Sequence, residues 1–159
     1  PGPIKSKLVT RVSGTAKILY TIYLVLTAAE AVALRIAGMS WFDAVNHAFT
    51  TMATGGFSVR NASIAEYQSD AITWVIVVFT FLAGINFSLL YAIVRGRIKD
   101  ALRSEELRWY LLILMAGTLV VSLDVLGFTE SFVASLTCIS NVGPSLGALG
   151  PMANFAPLS

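Results

Sequence analysis

The longest uncharged stretch of the sequence limits what this chain can fold into. Residues 71–94 contain no Asp, Glu, Lys or Arg, and as a helix they would be about 36 Å long. The hydrocarbon core of a bilayer is about 30 Å thick. Two further apolar runs, 15–37 and 109–126, carry three charges and one charge respectively. We therefore expect three membrane spans.

The overall composition agrees with a membrane location. Hydrophobic residues make up 56% of the 159 residues and charged residues 13%, about half of the charged share in soluble proteins. A soluble domain of this size has a large surface to cover with polar groups. This composition excludes a typical cytosolic enzyme, a disordered tail and a disulfide scaffold. It predicts an all-α integral membrane protein in contact with the lipid bilayer.

Few side chains in the sequence could form a disulfide, a metal site or a catalytic site. Cys138 is the one cysteine and His47 the one histidine, so neither an internal disulfide nor a His/Cys zinc cluster can form. A net charge of +2 is too small to indicate nucleic-acid binding. We expect no enzyme, no transition metal, no organic cofactor and no nucleic-acid partner. The first apolar run is too long for the core of a cleavable signal peptide.

The distribution of basic residues predicts the orientation of the spans. Residues 95–108 hold five Lys or Arg residues and the N-terminal stretch holds four up to Lys17, whereas residues 38–70 hold only Arg60. Basic segments flanking spans stay in the cytoplasm. We predict a multi-pass protein of the plasma (inner) membrane with residues 1–14 on the cytoplasmic side.

A short amphipathic segment lies between the first two spans. Residues 40–52 place apolar side chains at helical spacing, with Ser40 as a candidate N-cap and Asp43 in the first turn. The segment is too short to cross a bilayer but fits a re-entrant half-helix. Residues 53–58 follow with the sequence ATGGFS, and their paired glycines allow the backbone to turn and extend.

The same design recurs near the C-terminal end of the sequence. Residues 128–144 align without a gap to residues 41–57, although few residues are identical. Both segments have an acid in the first turn, Asp43 or Glu130, followed by an apolar half-helix, small hydroxyl residues and a glycine. We interpret them as two copies of one structural unit.

A half-helix followed by glycines in a membrane has a physical interpretation. Irregular backbone at membrane depth is tolerated only where it lines a water-filled path or is buried in protein. The C-terminal end of a helix carries the negative end of the helix dipole, and the carbonyls that follow can replace the hydration shell of a cation. The two segments are therefore candidate ion filters.

These patterns together predict membrane–pore–membrane repeats. The expected organisation is a cytoplasmic stretch 1–14, a repeat 15–97 (spans 15–37 and 71–94, half-helix 40–52, filter 53–58), a basic linker 98–108, and a partial repeat 109–159 (span 109–126, half-helix 128–139, filter 140–147).

The residues around the first glycine pair resemble a known family. HAFTTMATGGFS (47–58) is similar to the pore helix and filter of the second repeat of Trk/Ktr/HKT-type potassium transporters. The likeness continues in TAKILYTIYL (15–24) and FLAGINFSLLYAIVRGR (81–97), and SNVGPSLGALGP (140–151) resembles the filter of the fourth repeat. The order and spacing of the motifs carry the resemblance, which covers nearly the whole chain.

The resemblance implies a site, an ion and partners. Such proteins build K⁺-selective pores from four membrane–pore–membrane repeats, and many work with a cytoplasmic nucleotide-binding regulatory ring. Gly56 and Gly143 correspond to the filter glycines of the family. The residues that would form the two filters here are Ala53, Thr54, Gly55, Gly56 and Phe57, and Ser140, Asn141, Val142, Gly143 and Pro144.

The sequence departs from the family in the number of filters. A pore of this kind needs four filter segments and this sequence supplies two, with the third repeat missing between the second and the fourth. Sixteen residues follow Gly143, too few for another span. We expect the chain to be part of a pore that is completed by further repeats or by further copies of the chain.

Three polar or small residues inside the spans are further candidates. Glu30 is ionisable within the first span, which marks it either as functional or as the partner of Arg35 or another polar neighbour. Gly84 would permit close helix packing, and Asn86 is a candidate for gating.

Three functions are compatible with these features. The first is a pore subunit that conducts K⁺ through backbone carbonyls. The second is a structural or regulatory membrane subunit that does not conduct. The third is a carrier that couples cation movement to Na⁺ or H⁺, with Glu30 as the relay.

Overall fold

The structure is a computed structural model that describes residues 4–123 and 127–142. All regular elements in these residues are helical, which confirms the prediction of an all-α protein. They are α1 (Ile4–Ile36), α2 (Trp41–Met52), a 3-10 helix (Ser63–Tyr67), α3 (Asp70–Gly84), α4 (Phe87–Val94), α5 (Ile98–Leu102), α6 (Glu105–Ser122) and α7 (Phe128–Ile139).

The first predicted span lies within α1. The stretch Gly14–Ile36 is long and apolar enough to cross a membrane. α1 ends at Ile36, and Gly38, two residues later, has φ of +107° in the turn before α2. Ser40 caps α2, since its hydroxyl accepts a hydrogen bond from the N–H of Asp43 over 3.1 Å. The short α2 therefore folds back beside α1.

The predicted span 71–94 consists of two helices, α3 and α4, which together are long and apolar enough to cross a membrane. α3 and α4 are separated by a break and bent by 101° relative to each other. Ile85 adopts an extended conformation, and the Asn86 side chain accepts a hydrogen bond from the N–H of Ser88 over 2.8 Å to cap α4. An Asn side chain that competes for backbone hydrogen bonds interrupts a helix even where the sequence is apolar.

The third predicted span also differs from the observed helix. α6 begins at Glu105, inside the segment 98–108 that was assigned to a linker, and ends at Ser122. Residues 124–126 of the predicted span lie outside the described residues. Ser104 fixes the start of α6, because its hydroxyl accepts a hydrogen bond from the N–H of Leu107 over 3.3 Å. The acidic residues of the first turn, Glu105 and Glu106, act together with this N-cap, because they suit the positive end of the helix dipole.

One apolar core joins the two predicted repeats. Leu34 of α1, Ala44 of α2, Ile76 of α3, Leu114 of α6 and Leu136 of α7 are all buried at 1% exposure or less and belong to one cluster. α3 contacts α1, α2 and α7. The two half-helices therefore share one core.

Replacing the N-cap of α2 should destabilise the protein. We expect Ser40→Ala to lower the free energy of unfolding by about 1 kcal/mol, because the N–H of Asp43 loses its acceptor. Thermal unfolding in detergent measures the change. Ser40→Asp keeps an acceptor and should remain close to the wild type; an equal loss in both variants would contradict the capping role.

Candidate functional site

α2 ends in a closed turn that begins the first candidate filter. The N–H of Thr54 donates to the carbonyl of Thr51 over 3.0 Å, and the N–H of Gly55 donates to the carbonyl of Thr50 over 2.7 Å. This pair of bonds is the Schellman motif, which satisfies carbonyls at a helix end. The helix therefore stops at a defined residue and the chain leaves it in a fixed direction.

α7 ends in the same way at the equivalent residues. The N–H of Asn141 donates to the carbonyl of Cys138 over 3.2 Å, and the N–H of Val142 donates to the carbonyl of Thr137 over 3.0 Å. Each of these residues is aligned with its counterpart after α2 by the gapless alignment of residues 41–57 and 128–144. The repeat recognised in the sequence is thus a repeat of backbone geometry.

Both filter turns place a residue other than glycine in the left-handed conformation. Thr54 has φ of 51° and Asn141 has φ of 55°, whereas the ends of α1 and α4 use Gly38 and Gly96 in the same position. A positive φ is uncommon for Asn and costly for β-branched Thr. Such strain persists where the surrounding structure enforces it, and it concentrates at functional sites.

The first candidate filter continues with exposed backbone. Gly56 has φ of 68°, and the hydroxyl of Thr50 donates to the carbonyl of Phe57 over 2.9 Å. Within the described residues, no donor lies within hydrogen-bond distance of the carbonyls of residues 53–56. Consecutive carbonyls without donors are the groups that can coordinate a cation.

An ion pair joins the start of α2 to the chain that follows the filter. Nη2 of Arg60 lies 2.9 Å from Oδ2 of Asp43, and the guanidinium carbon lies 5.9 Å from the ring centre of Tyr67. The hydrogen bond from Arg60 holds the pKa of the Asp43 carboxyl below its usual range, against the opposing effect of burial. Asp43 is therefore charged, and its ion pair holds Arg60 beside the start of α2.

A buried histidine makes a second link across the same loop. Nδ1 of His47 lies 2.8 Å from the carbonyl oxygen of Asp43, and Nε2 lies 3.0 Å from Oγ of Ser58. Since a carbonyl only accepts, Nδ1 carries the proton and donates it. Oγ of Ser58 accepts a hydrogen bond from the N–H of Arg60 over 3.1 Å. These contacts join α2 to residues 58–60, which follow the candidate filter.

The second candidate filter has different neighbours. Oγ of Ser140 lies 3.0 Å from the hydroxyl of Tyr110 in α6, and Val142 is fully buried. Gly143 and Pro144, which complete the predicted filter, lie outside the described residues, as do residues 145–147. The described part of this filter is therefore Ser140, Asn141 and Val142.

The structure separates the three intramembrane candidates. Glu30 is fully buried on α1, and its carboxyl group lies beside the Thr51 side chain of α2. Gly84 ends α3 against Tyr110. Asn86 caps α4, and its Nδ2 donates to Oε1 of Glu106 over 3.0 Å. Glu30 therefore lies beside α2, whereas Gly84 and Asn86 both contact α6.

Sequence reasoning missed several residues that shape the site. Arg60 was used only to orient the chain, and His47 was left without a role. Their partners lie far apart in the sequence: Asp43 is 17 positions before Arg60, and Ser58 is 11 positions after His47. The one signal available was that Arg60 is the sole basic residue of residues 38–70.

The sequence of this chain matches known proteins. The model of the TrkH family, described as cation transport protein, matches residues 4–137. The chain belongs to this family. The Trk system potassium uptake protein TrkH of Salmonella typhimurium is 35% identical over 157 residues, which are 98% of this chain and 32% of that protein. The TrkH protein of Vibrio parahaemolyticus is 48% identical over 93 residues, or 58% of this chain and 19% of that protein.

A solved structure agrees with these relatives. The crystal structure of the potassium transporter TrkH from Vibrio parahaemolyticus matches with a TM-score of 0.71 and 35% identity, and covers 84% of this chain and 31% of that chain. This match confirms the prediction of a membrane protein of the TrkH fold. The chain spans about a third of the length of the Salmonella relative. The match to the family model ends at residue 137, before the second candidate filter.

Two adjacent glycines in the first segment should respond differently to substitution. Gly56→Ala forces a Cβ into the left-handed conformation and should cost about 1–2 kcal/mol of unfolding free energy. Gly55 has no positive φ, and its Cβ would meet the exposed ring of Phe57 at 3.3 Å, so Gly55→Ala should cost less. Chemical or thermal unfolding in detergent compares them, and an equal loss would contradict the backbone conformation.

Stability in acid should depend on Asp43. Arg60 lowers the folded-state pKa of this carboxyl below its usual 3.8, so the ion pair contributes stability above that pH and loses it as pH falls through the folded pKa. The unfolding temperature of the wild type should decrease below about pH 4. Asp43→Asn should flatten this decrease; a variant that follows the wild-type curve would argue against the ion pair.

Proposed function

We propose that this chain forms part of a potassium-uptake pore, in which residues 53–57 and 140–144 are two of the filter segments. The observation that carries the proposal is the run of carbonyls at residues 53–56, which have no hydrogen-bond donor within the described residues. The carbonyls follow the C-terminal end of α2, where the helix dipole is negative. A cation is the ligand that both features favour.

The identity of the ion rests on the relatives. The TrkH proteins of Salmonella typhimurium and Escherichia coli are named Trk system potassium uptake proteins. We propose K⁺ as the transported ion. The four-filter pore of the family requires two segments besides those at 53–57 and 140–144. Further repeats or further copies of the chain would supply them.

The orientation and the partners follow from charge. We propose that the N-terminal part of α1 and the basic segment 95–108 face the cytoplasm of a plasma (inner) membrane. In the structure α5 lies within this segment, directly after the left-handed turn at Gly96. This face is available to a cytoplasmic nucleotide-binding regulatory ring of the kind that the family resemblance implies.

Uptake of Rb⁺ by bacterial cells that lack their own potassium uptake tests the proposal. Cells that express the protein from its complete gene should accumulate Rb⁺, and Gly56→Ala should reduce the rate by about tenfold or more, since one displaced carbonyl alters the ion site. Gly96→Ala is the matched control, because Gly96 also has a positive φ but lies on the cytoplasmic segment with open space around it. It should transport within about twofold of the wild type.

Two results would overturn the pore assignment. Absence of Rb⁺ uptake by the folded wild type would favour a structural or regulatory subunit that does not conduct. Equal rates for the wild type and Gly56→Ala, at equal amounts of protein in the membrane, would show that the filter lies elsewhere.

A cation-coupled carrier is the second candidate, and the full burial of the Glu30 carboxyl group within the first span favours it. An ionisable group fully buried in a span is a common feature of proton relays. If Glu30 relays a proton, Rb⁺ uptake by the wild type should depend on external pH and Glu30→Gln should remove that dependence. A pH profile that Glu30→Gln leaves unchanged would exclude the relay.

A further inference from the structure

Three elements meet at one point beside the second candidate filter. Gly84 ends α3, Tyr110 lies in α6, and Ser140 follows α7 as the first residue of the filter. The hydroxyls of Tyr110 and Ser140 are 3.0 Å apart. A Cβ built on Gly84 would lie 2.4 Å from the Tyr110 hydroxyl and 2.5 Å from Oγ of Ser140. The two hydroxyl groups therefore pack against the backbone of α3 at Gly84.

This contact lies next to the bend between α3 and α4. Asn86, two residues after Gly84, donates to Glu106 of α6 over 3.0 Å. Glu106 and Tyr110 are four residues apart, so they lie on one face of α6. A cavity of about 110 Å³, lined by Gly84, Asn86, Glu106 and Tyr110 among others, lies between the two contacts. α6 thus contacts both sides of the bend.

The first candidate filter has no equivalent of this junction. Ala53 stands at the position that corresponds to Ser140 and has no hydroxyl to donate or accept. The contacts near that candidate filter are instead the Asp43–Arg60 ion pair and the His47–Ser58 hydrogen bond, which join α2 to the residues after the filter. The repeat reproduces the backbone of the filter turn but not the groups that hold it.

We propose that Tyr110 is a positioning residue for the second filter. Its hydroxyl holds Ser140 against Gly84, so the bend between α3 and α4 determines where the first carbonyl of the filter lies. A change in the angle of α4 is transmitted to that carbonyl through Gly84, Tyr110 and Ser140. This inference rests on the proposed function, because it assigns ion contact to the segment that begins at Ser140.

Ion selectivity is the readout that separates positioning from stability. A variant that only unfolds lowers the amount of transporter and hence the maximal rate, whereas a displaced carbonyl changes the relative affinity for Rb⁺ and Na⁺. The experiment measures how much Na⁺, relative to K⁺, halves Rb⁺ uptake in cells that express the complete protein. Tyr110→Phe should lower this ratio roughly two- to tenfold, the range that one hydrogen bond supplies.

A second variant and a double variant test the contact itself. Ser140→Ala removes the other hydroxyl and should lower the ratio by a similar factor. The double variant Tyr110→Phe/Ser140→Ala should match the single variants, because both remove one interaction. Tyr20→Phe is the control, since Tyr20 is an exposed tyrosine on α1, and its ratio should equal that of the wild type.

The glycine is tested in the same assay. Gly84→Ala places a methyl group against both hydroxyls and should lower the ratio further than Tyr110→Phe. Gly117→Ala is the matched control within α6, because its Cβ would make only ordinary contacts, at 3.5 Å or more from Ser135.

The outcomes distinguish this inference from the proposed function. Absence of Rb⁺ uptake by the wild type overturns both. Uptake by the wild type with an unchanged ratio in Tyr110→Phe and Ser140→Ala overturns the positioning role alone. Additive effects in the double variant overturn it as well. A shared, non-additive loss of selectivity at wild-type levels of folded protein supports it.

Discussion

The satisfaction of backbone hydrogen bonds at the ends of two short helices is the constraint on which the rest of this structure depends. In a bilayer each unpaired backbone group costs several kcal/mol, so a helix that stops within the membrane must close its last turn. α2 and α7 do so with the same pair of bonds. The closure fixes where the helix stops, and the carbonyls beyond it remain without donors in the described residues.

In both closed turns, the residue directly after the C-cap has a strained backbone conformation. Thr54 and Asn141 adopt the left-handed conformation that Gly38 and Gly96 adopt after α1 and α4. A glycine would relieve the strain, but it would also let the following carbonyls move. The contacts around each turn hold the strained residue in place. They are an ion pair and a buried histidine in one repeat and a hydroxyl pair in the other.

The difference between the two surroundings gives each candidate filter a separate set of contacts. The first candidate filter is held by contacts between α2 and the residues that follow it, Ser58 and Arg60. The second contacts Tyr110 of α6, which lies against Gly84 at the end of α3.

Much of the fold could be predicted from the sequence, since its signals are local. The bounds of the half-helices, the N-cap at Ser40 and the alignment of residues 41–57 with 128–144 depend on hydrophobic spacing and on residues a few positions apart. The break at Asn86 had a local signal as well, in Gly84 and Asn86 within an apolar run. The absence of charge in residues 71–94 indicated a continuous helix more strongly.

The sequence by itself determined that the chain is helical, belongs in a membrane and contains two copies of a half-helix followed by small residues. Only the tertiary structure decided which residues take the left-handed conformation and which side chains hold each filter turn. The physical reason is distance along the chain. Periodicity and capping act within one or two helical turns, whereas Tyr110 and Ser140 are 30 residues apart and meet only because α3, α6 and α7 pack together.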